Sequence, residues 1–343
     1  MSDLLNVFDY ERAAQQTLDA AAWEYLRGGA GDEHTLRENQ ESFRRWQLVP
    51  RVLVDVDVVD PSTTVLGTEI ALPVLVAPVA LQKLIHPDGE AATARAAAAA
   101  GTVMCVSTSA TMRPGAVAEA APGASRWFQV YVFKDRGITR GLVDEACAAG
   151  YEALVLTVDT PILGRREGAV RIGFRVPDEL ELAGDIFGSL DQTVSWRDLE
   201  WLAGYGLPVV LKGVQSAEDA RLAVEHGAAA VVVSNHGGRQ LDGVPPTIDA
   251  LPVVVEAIDG RCEVLLDSGV RRGIDVLRAL ALGARAVLVG RAAIYGLAVD
   301  GEAGVRRVLK LLREEIVLGL QLLGCKSPAE VTRAHVSLRS WSE

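Results

Sequence analysis

Eight short β-branched runs, each followed by helix-like sequence, predict a (β/α)8 TIM barrel entered through an N-terminal helical lead-in. The runs fall at 73–77, 102–107, 126–131, 153–158, 208–212, 229–234, 263–266 and 286–290. Most are spaced by about one βα unit. No GxGxxG follows the first run, which argues against the competing doubly wound dinucleotide fold. Polar or charged residues stand at the end of run after run, where a barrel of this kind builds its active site.

A chain of 343 residues fits one barrel unit, with the lead-in over 1–72, the barrel over 73–300 and a helical C-terminal segment over 301–343. A formal net charge of -11 excludes nucleic acid as a partner, because counterion release needs basic surface. Cys105, Cys147, Cys262 and Cys325 lie far apart with no CxxC pair, so they read as reduced thiols, and no metal is expected. The N-terminus lacks a basic region leading into an apolar stretch, and no run reaches the length of about 18 apolar residues that spans a bilayer. The expected setting is the cytoplasm, away from membranes.

In the lead-in, Phe8, Ala13, Leu18, Ala21 and Tyr25 recur at helical spacing over about 7–26, and GGAGDE ends the helix. The first barrel run ends in Pro78, Val79 and Ala80, the second in Ser107, Thr108 and Ser109, and the third offers Gln129 and Tyr131. The fourth offers Thr157 and Asp159, with Arg165 and Arg166 just beyond; an extra loop then reaches to about Val194, the length of a lid or specificity element. The fifth gives Lys212. The sixth gives Ser234 and opens SNHGGRQLDG, where Gly237 and Gly238 free the backbone to turn and hold His236 and Arg239 over the strand's end. Taken alone, that histidine could simply cap a strand. The seventh run ends in Asp267, Ser268 and Gly269 followed by Arg271, and the eighth in Gly290 and Arg291. Residues 304–323 form a long helix with apolar residues on more than one face, either a subunit contact or core packing. Any one charge at a strand end could belong to a structural ion pair, but all of them together point to a site.

These residues bring a family into view. From YLRGGAGDE through HPDGE, TVDTP, LGRRE, LKGV, SNHGGRQLD, SGVRRGIDV and ALGA, nearly the whole chain resembles the FMN-dependent L-2-hydroxy acid oxidases and dehydrogenases, among them glycolate oxidase, lactate oxidase and mandelate dehydrogenase. The resemblance implies an FMN enzyme that turns an L-2-hydroxy acid into a 2-keto acid and assembles as a homotetramer. On the flavin side it implies that Pro78, Val79, Ala80, Ser107, Gln129, Thr157 and Ser234 lie against the ring, and that Lys212 sits near flavin N1 and O2, favouring the reduced anion. Asp267, Gly269, Arg271, Gly290 and Arg291 match the phosphate site. On the substrate side, Arg166 and Arg239 match the receptors of the substrate carboxylate, with Tyr25 adding a hydrogen bond. His236 matches the catalytic base, Asp159 the carboxylate that orients it, and Tyr131 the partner of the substrate hydroxyl. Whether His236 takes the hydroxyl proton during hydride transfer or the α-carbon proton to leave a carbanion stays open.

The departures bear on substrate. Ser109 stands where glycolate- and lactate-type members carry a bulky aromatic, so the pocket should admit a phenyl ring or longer chain. Ile162 replaces a polar residue usual in glycolate oxidases. Ser268 replaces the first glycine of the usual DGG and is small enough for the phosphate site to survive. The loop after Arg166 is shorter than in glycolate oxidase and lacks a basic apolar anchor. Ala80 is the residue usual in members that react with O2, which favours an oxidase making H2O2 over a dehydrogenase passing electrons to a quinone. A non-redox flavin barrel such as isopentenyl diphosphate isomerase should lack the two carboxylate-binding arginines and the SNHGGRQ histidine.

Overall fold

The structure, a computed structural model, describes residues 4–177, 180 and 188–339. Its centre is a closed barrel of eight strands: β1 (Val74–Val76), β2 (Met104–Val106), β3 (Arg126–Val130), β4 (Ala153–Thr157), β5 (Val209–Val214), β6 (Ala230–Val233), β7 (Glu263–Leu266) and β8 (Ala286–Val289). Each strand pairs in parallel with the next, and β8 closes on β1 through Val287–Val74 and its neighbours. All eight expected runs become strands. Most are trimmed at the ends, where the chain turns into loops, whereas β5 continues past Lys212 through an irregularity at Lys212–Val214.

Period-two alternation explains how these strands build a site. Leu75, Cys105, Trp127, Val155, Val210, Val232, Leu265 and Leu288 fill the barrel interior, while Val76, Val106, Phe128, Leu156, Leu211, Val233, Leu266 and Val289 face the surrounding helices. Two residues beyond the inner layer, the same phase brings Ala77, Ser107, Gln129, Thr157, Lys212, Ser234, Asp267 and Gly290 to the top of the barrel. The antiparallel hairpin Thr63–Val65 and Thr68–Ile70 closes the opposite end, with Val65 and Ile70 packed into the inner cluster.

The start of the lead-in forms two helices, Val7–Thr17 and Ala20–Arg27, where the sequence predicts one over about 7–26. Leu18 is extended and the Asp19 carboxylate accepts the Ala22 N–H, so a side-chain cap wins over helical continuity. The C-terminal helix also differs: it starts directly after β8 and runs over Arg291–Leu323. It kinks at Asp300 and Gly301, where a Cβ on Gly301 (φ 52°) would lie 2.9 Å from the His86 ring. His86 of HPDGE therefore wedges that kink. Val305, Val308, Leu309, Leu312, Ile316 and Leu320 are buried within the chain, so core packing accounts for most of the apolar surface; Leu318 and Leu322 stay exposed. In the excursion after β4, Glu167–Arg171 and Trp196–Ala203 are helical. Residues 178–179 and 181–187 of that expected lid lie outside the described residues. Among the described residues no helix is long and apolar enough to cross a membrane.

Candidate active site

One cavity sits on the top layer of the barrel, enclosing about 990 Å³ of atom-free space that includes its open mouth. Its wall contains Pro78, Val79, Ala80, Ser107, Ser109, Gln129, Tyr131, Thr157 and Lys212 from the first five strand ends. His236, Arg239, Asp267, Gly269, Arg271, Gly290 and Arg291 come from the last three, Tyr25 from the lead-in and Arg166 from the β4 excursion. Of the residues expected from sequence, only Ser234 and Asp159 stand behind the wall, and both act through a neighbour. Ser234 Oγ accepts from Lys212 Nζ (2.9 Å) and from the His236 N–H (3.1 Å). Asp159 Oδ1 lies 2.8 Å from His236 Nδ1.

The turn after β6 shows why this sequence needs HGG. His236, Gly237 and Gly238 are left-handed in succession, at φ 57°, 67° and 72°. A Cβ on Gly237 would lie 2.6 Å from Arg291, and one on Gly238 would lie 2.6 Å from the Leu36 backbone. Only glycine fits there. His236 itself bears left-handed strain, and its ring points across the turn with Nε2 3.4 Å from Tyr131 Oη. Thr160 Oγ1 donates to Asp159 Oδ1 (2.9 Å) and lies 3.2 Å from His236 Nδ1, bracing the contact from the other side.

Electrostatics set the roles. Burial, above all, pushes the His236 imidazole below its ordinary value; Asp159 pulls it back up in part, while Lys212 and Arg166 push it further down. At neutral pH it is an unprotonated base. Burial raises the Asp159 carboxyl, but His236, Lys212 and Thr160 together bring it below the usual range. Burial holds the Tyr131 hydroxyl at a pKa of about 12, so it keeps its proton and can donate it in a hydrogen bond. Burial disfavours charge on Lys212, yet Asp267 and Asp159 outweigh it and raise the ammonium pKa.

The arginines carry the most information. Arg239 is pushed well below its ordinary pKa by burial and then by Arg166 and Arg291, and burial lowers Arg166 and takes Arg291 to about 10. None of the three has a carboxylate partner among the described residues. Arg239 donates to the carbonyls of Tyr25 and Gly28 (2.9 and 2.8 Å), and Arg291 to those of Leu26, Gly237 and Gly28. They clip the lead-in over the cavity. A cluster of buried like charges of this kind is built to receive anions.

Two anion positions follow. Arg166 and Arg239 line the cavity with Tyr25 and His236; the Arg239 guanidinium lies over the Tyr25 ring (5.3 Å), and Phe174 stacks on that ring (5.3 Å). Phe174 escapes sequence reasoning because it lies in the excursion, where no periodicity marks it. Across the cavity, Arg271 and Arg291 meet the start of the Arg291–Leu323 helix, whose N-cap, Gly290, supplies no capping side chain. That suits a phosphate. Asp267, grouped by sequence with the phosphate receptors, lies against Lys212 (3.0 Å) and accepts from Ser268 Oγ (2.7 Å). A carboxylate repels phosphate, so its geometry suits hydroxyl groups and the lysine. Ser268 is itself left-handed at φ 72° and is held by accepting the Gly237 N–H (3.0 Å). FMN fits this donor set: the buried Gln129 Nε2 and Arg271 Nε have no partner among the described residues.

The comparisons agree with this geometry. The family model described as "FMN-dependent dehydrogenase" matches residues 14–338. The chain is 49% identical to glycolate oxidase 3 of Arabidopsis thaliana, over 97% of this chain and 96% of that protein. It is 48% identical to glycolate oxidase of Spinacia oleracea, over 98% and 96%. Among solved structures, mandelate oxidase superposes with a TM-score of 0.93 at 42% identity, covering 98% of each chain. Mandelate oxidase with (S)-2-phenylpropionate gives 0.92 at 42%, again covering 98% of each.

Proposed function

The chain belongs to the FMN-dependent dehydrogenase family, and from that premise we propose that it oxidises an (S)-2-hydroxy acid with a bulky, mandelate-like side chain to the 2-keto acid, reducing O2 to H2O2. The observation that carries this reading is His236, braced by Asp159 at 2.8 Å, beside two guanidiniums that have no carboxylate partner among the described residues. When bound, FMN supplies the two-electron acceptor. The protein does the rest. Arg166 and Arg239 hold the substrate carboxylate and fix which way the α-carbon faces. Tyr131 donates to the substrate hydroxyl, and His236 Nε2 takes up a proton, the imidazolium being stabilised through Nδ1 by Asp159. Lys212 presents a fixed positive charge below, and Arg271, Arg291 and the first turn of the helix after Gly290 hold the phosphate.

Ala80 in the cavity wall supports O2 as acceptor, and the test is direct. Mixed anaerobically with a panel of (S)-2-hydroxy acids, the yellow protein should bleach; on admission of air the colour should return with one H2O2 per keto acid. A protein that stays bleached in air and recovers only with a quinone is a dehydrogenase. Exposed Leu318 and Leu322 at the end of the long helix support the homotetramer, and the acidic composition with four free cysteines suits a cytoplasmic setting.

Substrate size turns on Ser109, which lines the cavity. An aromatic ring on the α-carbon would gain about 1.5–3 kcal/mol from burial in the space a large residue would otherwise fill. Mandelate should therefore exceed glycolate in kcat/KM, with lactate between. The glycolate oxidase relatives favour the opposite order, so the two readings separate cleanly. Ser109→Trp should depress mandelate turnover far more than glycolate turnover. If the two fall together, or glycolate leads from the start, the excursion after Arg166 sets the pocket instead.

A further inference from the structure

We propose that Gln240, in the tail of SNHGGRQLD, is a positioning residue that holds the loop carrying Asp159 and Arg166 in register with His236 and Arg239. The inference rests on the reading of His236 as the base and of the two arginines as carboxylate receptors. All three hydrogen bonds that its amide makes go to that one loop. Nε2 donates to the Asp159 carbonyl (2.8 Å) and the Ile162 carbonyl (2.9 Å), and Oε1 accepts the Gly164 N–H (2.9 Å). Two carbonyls and one N–H demand an amide with two donors and one acceptor, so a glutamate would clash in charge and an asparagine would fall short.

The need for such a clamp follows from what the loop carries. Among the described residues Arg166 has no ion-pair partner and its buried Nε no hydrogen bond, so its place is set by the backbone before it. Arg239 repels it, as both are buried guanidiniums. Unrestrained, the two would drift apart. Gln240 follows Arg239 directly in sequence and ties the loop back to it. At Gly164 the loop comes so close that a Cβ would lie 2.4 Å from the Arg239 carbonyl oxygen. At the other end, Asp159 is pinned between this amide and Gly213, where a Cβ (φ 117°) would lie 2.8 Å from Asp159 Cβ. One side chain thus sets both the carboxylate that orients the base and one of the arginines that orient the substrate. Gln240 itself does not line the cavity.

Gln240→Leu and Gln240→Met keep the volume and remove the hydrogen bonds. In FMN-loaded protein, both should hold flavin with a Kd within about twofold of wild type. Flavin reduction by mandelate should slow by roughly tenfold or more, and the Kd of benzoylformate, followed by flavin absorbance, should rise by a similar factor. The acid limb of kcat/KM should move to lower pH, because a looser Asp159 supports the imidazolium less. Wild-type reduction rates, benzoylformate affinity and pH profile in both variants would overturn the proposal. Loss of flavin in both would also overturn it, since Gln240 would then serve the fold at large. If the wild-type protein is not bleached by any 2-hydroxy acid, it is the functional reading that fails.

Discussion

Replacing His236 with alanine should leave a yellow, folded protein in which flavin reduction by a 2-hydroxy acid is slower by at least about 10²-fold. His236 lines the cavity, and the loop's backbone hydrogen bonds to Ser234 Oγ and Ser268 Oγ do not involve the imidazole. Alanine is strained at φ 57°, as histidine already is, so the turn has reason to persist. Stopped-flow absorbance under anaerobic conditions isolates the step. Near-normal reduction would remove His236 from the base role, and loss of FMN would make it a structural residue. The wild-type pH profile gives the same assignment independently. Burial lowers the His236 pKa below its ordinary 6.5, and the base works only when unprotonated. Hence kcat/KM should be flat with respect to this group at neutral pH and fall only as pH drops below that value. An acid limb centred above 6.5 would mean that Asp159 dominates over burial, contrary to the direction found here.

The readability of this chain from its sequence follows the physics of each part. Strand ends were legible because a buried parallel strand shows as a β-branched run, and alternation then dictates that Lys212 and Asp267 share a layer with Ser107 and Thr157. The HGG turn was legible because two glycines after a strand have few other uses. What could not be read were contacts that depend on how distant loops meet. The pairing of Lys212 with Asp267 links β5 to β7, and nothing in either segment distinguishes a carboxylate facing an ammonium from one beside a phosphate site. Phe174 over Tyr25 joins the excursion to the lead-in, and the excursion has no periodicity to mark its half of the contact. The break at Leu18 turned on one capping bond from Asp19, a local competition that an apolar pattern running straight through does not register. Arg291 lines the cavity and also clips the Leu26 and Gly28 carbonyls, and only the assembled structure shows the second contact.

Arg239→Met should cost about 10²–10³-fold in kcat/KM for the acid, as expected when one member of a buried, hydrogen-bonded charge pair is truncated. The loss should appear in both KM and kcat, because the guanidinium both attracts the carboxylate and fixes the α-carbon relative to His236. Methionine keeps the packing against the Tyr25 ring while giving up the charge and the bonds to the Tyr25 and Gly28 carbonyls. Two controls separate these contributions. FMN content should stay near wild type, since the proposed phosphate receptors, Arg271, Arg291 and the helix start, are left intact. The neutral amide of the same hydroxy acid brings no charge to receive, so its oxidation should fall much less than that of the acid, and the preference for acid over amide should collapse. If acid and amide decline equally, Arg239 acts by clipping the lead-in over the cavity, and Arg166 alone is the carboxylate receptor.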